Sequence, residues 1–76
     1  MPSAFVLFNT ELGREEDIIR ELKNMDEVTE VFRVYGLYDV IAKVESATTD
    51  KVKEIIIWKL RNLKSVKSTL TMIVLE

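Results

Sequence analysis

The 76-residue sequence contains neither cysteine nor histidine, and these two absences exclude much of protein chemistry at once. Without cysteine there is no disulfide framework, no thiol nucleophile and no thiolate metal ligand. Without histidine the imidazole that most often ligates zinc or haem iron, or acts as general base near neutral pH, is gone as well. No cofactor, no metal site and no catalytic residue is therefore expected. An excess of charge of one sign is also missing, since eleven basic and thirteen acidic side chains leave a net charge of −2 with both signs scattered. Nucleic-acid binding draws on clustered Lys and Arg that displace counterions from phosphate, so no direct nucleic-acid contact is expected. The most basic stretch, "KLRNLKSVK" at residues 59–67, reads as a solvated helix end whose cations complement the carbonyl end of the helix dipole. No apolar run approaches the roughly 20 residues of a membrane span. The start "MPSAFVLFNT" lacks the basic region and cleavage pattern of a secretory signal. A soluble, cytoplasmic chain with no membrane partner is expected.

What is present must then stabilise a short chain. A single domain over residues 1–76 buries only about 60% of the surface its unfolded form exposes. With disulfides and metal excluded, association with another copy is the stabiliser left.

Along the chain, residues 4–9 ("AFVLFN") are apolar on both alternating faces and read as a buried strand. From 15 to 25, Ile18, Ile19, Leu22 and Met25 recur at helical spacing, with Glu15, Glu16 and Asp17 in a first turn where carboxylates favour the dipole. Residues 28–35 ("VTEVFRVY") and 37–45 ("LYDVIAKVE") are β-branched and aromatic runs separated only by Gly36, which predicts a hairpin whose tight turn needs positive φ. Thr48, Thr49 and Asp50 offer capping oxygens before a second periodic run of Val52, Ile55, Ile56, Leu60 and Leu63, where the second helix is expected to end. Residues 66–75 ("VKSTLTMIVL") read as the last strand.

The predicted order is βαββαβ, and the two halves resemble each other. Leu22, Lys23, Asn24, Met25 and Val28 are echoed at a constant offset by Leu60, Arg61, Asn62, Leu63 and Val66, and the same offset places Ile18 and Ile19 on Ile56 and Ile57. Two copies of a βαβ-type unit make an α+β, ferredoxin-like plait: a four-stranded antiparallel sheet with two helices on one face. If the other face met water, each strand would alternate apolar with polar residues. The first strand instead has Ala4, Val6 and Phe8 on one side with Phe5 and Leu7 on the other, and the last sets Leu70, Met72 and Val74 against Ile73 and Leu75. The sheet of a second copy is the expected cover. Trp58 and Ile57 flank the core stripe of the second helix and serve either a subunit contact or the core margin.

The hairpin "VYGLYDVIAKVE" followed by "SVKSTLTMIVLE" resembles the effector-binding domain of the Lrp/AsnC family of feast/famine regulators, the RAM domain. The matching residues are Gly36 and Asp39 in the hairpin, then Val66, Thr69, Thr71, Ile73, Val74 and Leu75 in the closing strand, and the likeness covers essentially the whole chain. The residue before the glycine, often small or hydroxylated in such domains, is Tyr35. Full-length members carry an N-terminal helix-turn-helix, and this chain resembles the stand-alone version. The resemblance implies a homodimer built by packing two sheets into a sandwich or barrel, a higher-order ring of such dimers, and small effectors, usually amino acids, bound between dimers. It also implies transcriptional regulation by co-assembly with a helix-turn-helix-bearing relative. The ligand-binding set implied is Tyr35, Gly36, Leu37, Tyr38, Asp39, Thr69 and Thr71.

Each of these residues also has a purely structural reading. Gly36 serves the turn, and Thr69 with Thr71, two apart on one strand face, serves β-propensity as readily as it donates to a carboxylate. Asp39 shares its strand side with Leu37, Ile41 and Lys43, and either pairs with Lys43, discourages edge pairing, or binds a ligand. Three classes of function remain. They are an amino-acid-binding regulatory module, a cofactor-independent enzyme on a dimeric α+β barrel with proton transfer left to Asp39 or Tyr38, and a ligand-free assembly unit.

Overall fold

The computed structural model describes residues 1–75. Its elements are β1 (Ser3–Thr10), α1 (Glu15–Lys23), β2 (Val28–Arg33), β3 (Val40–Glu45), α2 (Thr49–Ile55), a π turn (Ile56–Leu60) that continues α2, and β4 (Val66–Val74). The expected βαββαβ order is present, and the strands form one antiparallel sheet in the order β2-β3-β1-β4. The fold is a ferredoxin-like α+β plait, with β1 and β3 central and β2 and β4 at the edges.

Period-2 patterning sets which face of each strand is covered. Ala4, Val6 and Phe8 of β1 pair with Val44, Ala42 and Val40 of β3, and all six are fully buried. Ile18 and Leu22, one helical turn apart on α1, and Val52, Ile55, Ile56 and Leu60 from α2 and its π turn, close the other side of this core. The internal repeat is real at its core positions. Ile18 and Ile56, and Leu22 and Leu60, are buried in equivalent places, while Val28 and Val66 pack at the margin. It breaks at Ile57, whose counterpart Ile19 packs against the core but which is itself 48% exposed.

Local chemistry explains the boundaries. Gly13, at φ +79°, turns the chain into α1, whose first turn holds Glu15, Glu16 and Asp17. Thr48 caps α2 by accepting the Lys51 N–H at 3.1 Å. Both helices are shorter than their apolar periodicity: α1 ends at Lys23, and α2 gives way after Ile55 to the π turn, closed by the Arg61 N–H on the Ile56 carbonyl at 2.9 Å.

The β2–β3 connection corrects the expected tight hairpin about Gly36. Residues 34–39 form a loop, closed by the Val34 N–H on the Asp39 carbonyl at 2.9 Å, and Gly36 sits within it at φ +154°. Tyr35 and Leu37 carry strand-like side chains but stand fully in solvent. Propensity for a pleated sheet reflects packing against neighbours, and here there are none within the chain.

Candidate functional site

Asp39 lies where the loop re-enters the sheet. Its N–H donates to the Phe8 carbonyl at 2.9 Å, extending the β3–β1 ladder by one bond. Its carboxylate Oδ2 accepts the Thr10 backbone N–H at 2.9 Å and lies 3.4 Å from the Thr10 hydroxyl. Thr10 is itself buried, next to a register shift between β1 and β4. The Asp39–Lys43 ion pair, one of the structural readings of the sequence, does not form. Lys43 lies 3.8 Å from Glu30 and over the Phe5 ring at 5.9 Å. Asp39 therefore stitches the loop to the end of β1 through one oxygen, and among the described residues Oδ1 takes no hydrogen bond. Thr10 was missed by sequence reasoning, because nothing local signals a partner 29 residues away.

The threonines sit elsewhere. Thr69 and Thr71 pair with Phe8 and Val6, so they share the helix-covered side of β4, Thr69 half-buried and Thr71 exposed. Asp39 has the parity of Ile41 and Lys43, which belong to the opposite side of the sheet. The two groups are also separated by β1, two strand spacings or roughly 9.5 Å. A single chain thus brings together Tyr35, Gly36, Leu37, Tyr38 and Asp39 on one loop, with Tyr38 half-buried beside Asp39, but does not join them to Thr69 and Thr71.

On the side away from the helices one rung crosses all four strands as Phe32, Ile41, Leu7 and Leu70. Phe5, Met72 and Val74 extend it into an apolar band in which Phe32, Leu70, Met72 and Val74 are exposed. Trp58 is 72% exposed on the π turn, which rules out the core-margin reading. Next to it Glu27 accepts from Lys59 Nζ at 3.2 Å through both carboxylate oxygens. Its own main-chain N–H, then the Lys59 ammonium, hold the Glu27 carboxyl below its ordinary value of 4.5. No cluster of three or more acidic side chains that could hold a metal ion occurs among the described residues, and no helix is long and apolar enough to cross a membrane.

Comparison with known proteins agrees with this architecture. The sequence profile of the Lrp/AsnC ligand binding domain matches residues 3–76. An uncharacterized HTH-type transcriptional regulator of Pyrococcus furiosus is 34% identical over 74 residues, covering 93% of this chain and 49% of the relative. A hypothetical protein from Pyrococcus horikoshii superposes with a TM-score of 0.92 at 38% identity, covering 100% of this chain and 92% of that one. The structure of Escherichia coli AsnC superposes with a TM-score of 0.89 at 26% identity, covering 99% of this chain and 51% of AsnC. The chain spans about half the length, or less, of the curated relatives it matches. Those relatives are named as an HTH-type transcriptional regulator and a regulatory protein, and this chain belongs to the Lrp/AsnC family, whose ligand-binding domain it carries.

Proposed function

We propose that the chain is a regulatory module for an amino-acid effector, and that its binding sites are completed by assembly. The reading rests chiefly on one observation: Asp39 and the Thr69–Thr71 pair lie on different faces and two strands apart. An amino acid is a zwitterion and needs an acceptor at its ammonium end and donors at its carboxylate. Asp39, with Oδ1 open, is the acceptor. Backbone amides near Gly36 are donors on the same loop, flanked by Tyr35, Leu37 and Tyr38, and the Thr69 and Thr71 hydroxyls are donors contributed by a neighbouring subunit. The apolar band of Phe32, Ile41, Leu7 and Leu70 is the surface on which two sheets pack into a homodimer. Such dimers assemble into a ring and co-assemble with helix-turn-helix-bearing relatives, which supply the DNA contact. Ligand that binds only the assembled state shifts the population toward it by mass action.

The test is calorimetry across the free amino acids on wild type and Asp39→Asn, with light scattering to follow assembly. At least one amino acid is expected to give heat. Asp39→Asn, which keeps shape but removes charge, is expected to weaken that binding by about 1.5–3 kcal/mol, the scale of a charged hydrogen bond. Unchanged affinity in the variant, or no heat from any amino acid, leaves Asp39 as a loop stitch alone.

A further inference from the structure

A groove distinct from the loop at Asp39 runs between α2 with its π turn and the edge strand β4. It has a volume of about 260 Å³ and is lined by Lys53, Ile56, Ile57, Arg61, Thr71 and Ile73. The walls are three isoleucines and one hydroxyl, and the rim is two cations. Arg14, Arg20, Arg33, Lys43, Lys51 and Lys59 all lie within 4 Å of a carboxylate. Among the described residues Lys53 and Arg61 do not, nor do Lys23, Lys64 and Lys67 outside the groove, so the groove keeps two positive charges without an ion-pair partner beside apolar surface.

The π turn is what puts both cations on it. Eight residues of regular α-helix at about 100° each would leave Arg61 about 80° round from Lys53. The wider turn, in which the Arg61 N–H reaches back five residues to Ile56, rotates the chain less per residue and returns Arg61 toward the line of Lys53 and Ile57. Ile57, on that line, is open to solvent where its repeat counterpart Ile19 is packed. π turns inside α-helices recur at functional positions.

We propose that this groove binds a small carboxylate with an apolar tail. Arg61 meets the carboxylate with its planar fork, Lys53 raises the local positive potential, the Thr71 hydroxyl adds a donor, and the tail lies on Ile56, Ile57 and Ile73. The volume falls just below the roughly 300–1,000 Å³ of sites for drug-sized ligands, which limits the occupant to a small organic acid. No carboxylate to pair with an ammonium group lines the groove, so the ligand needs no amino group. The site is complete in one chain and does not include Asp39, but it shares Thr71 with the amino-acid reading, so Arg61 and Asp39, each belonging to one site alone, are the residues that tell the two apart.

The probe is 4-methylpentanoate, with 4-methylpentanamide as its uncharged analogue, titrated into the full chain and followed by amide chemical shifts. Saturable shifts at Ile57, Arg61, Thr71 and Ile73 are expected from the acid and not from the amide. Arg61→Gln, at an exposed position with no described partner, is expected to weaken binding by about tenfold or more. Asp39→Asn is expected to leave it unchanged, and added salt to weaken it. Absence of saturable shifts at millimolar acid, equal response to the amide, or wild-type affinity in Arg61→Gln overturns the proposal. Shifts confined to residues 34–39 overturn it too, while leaving the amino-acid site in place.

Discussion

On the helix-covered face of the sheet Ala4, Val6, Phe8, Val40, Ala42 and Val44 lose all contact with solvent, whereas across the sheet Phe5, Leu7 and Ile41 are half-buried and Phe32, Leu70, Met72 and Val74 stay exposed. Residue type hardly separates the two groups, since both are aliphatic and aromatic. What separates them is that the first has α1 and α2 above it and the second has nothing from its own chain. The fold therefore carries more apolar surface than its own core uses. The open face carries a charged pair within the sheet, Glu30 with Lys43, in line with Phe5 and Met72, whereas on the covered side Arg33 pairs with Glu15 and Glu16 of α1.

Phe8 and Phe5, on opposite faces of one strand, give the sharpest test of the comparison. Phe8→Ala empties a fully buried site and is expected to cost about 3–5 kcal/mol at any protein concentration, read from the denaturation midpoint. Phe5→Ala should cost little in dilute protein and more where the chain is assembled. If the two variants cost the same at all concentrations, the faces do not differ as described. Next in size, Leu70→Lys places an ammonium group in the apolar band. Burying it unpaired costs several kcal/mol, so light scattering should report a folded monomer, and an unchanged assembly would mean that this face is not the interface. A smaller effect is expected from Glu30→Leu with Lys43→Met. The pair is half-exposed in the single chain and is buried only where this face packs on another copy. Replacing a pair so buried by apolar groups is commonly neutral or stabilising by about 1–4 kcal/mol, so the double variant should associate at least as tightly as wild type, and looser association would show that the pair supplies net attraction. The smallest effect is Glu27's, away from both faces. Its carboxyl is held below 4.5 in the folded chain, so its stabilisation is complete above that value and is lost as pH falls through the lowered folded value. Glu27→Gln should flatten that acid limb of the stability curve, and an unaltered limb would place the acid sensitivity elsewhere.

Much of this architecture was legible in the sequence because it depends on periodicity. The switch from period 2 to helical spacing at Ile18 and at Val52, and the echo of Leu22 by Leu60, give element order and core together. The loop about Gly36 was not legible. Tyr35 and Leu37 look like strand residues whether or not anything packs on them, and only the Val34–Asp39 bond shows where the strands part. Nor was the division of the candidate site. That Thr69 and Thr71 face the helices follows from the register of β4 on β1, a pairing across more than sixty positions. The Thr10–Asp39 bond and the π turn likewise depend on tertiary geometry, and neither leaves a local mark.

That same register has a consequence for the order of events in folding. β1 comes first in the chain and lies in the middle of the sheet, while one of its two neighbours, β4, comes last, with Ser3 opposite Val74. During synthesis β1 can meet β3 well before β4 exists, so until the final strand emerges one long edge of β1 and the apolar side chains along it have no neighbour. Pairings of such wide separation carry a high loop-closure cost and make for slow, late steps. A three-stranded β2-β3-β1 sheet formed before β4 would expose the edge of β1, the kind of edge that captures other chains. The arrival of β4 covers that edge, so β4 acts on the central strand as a late cap.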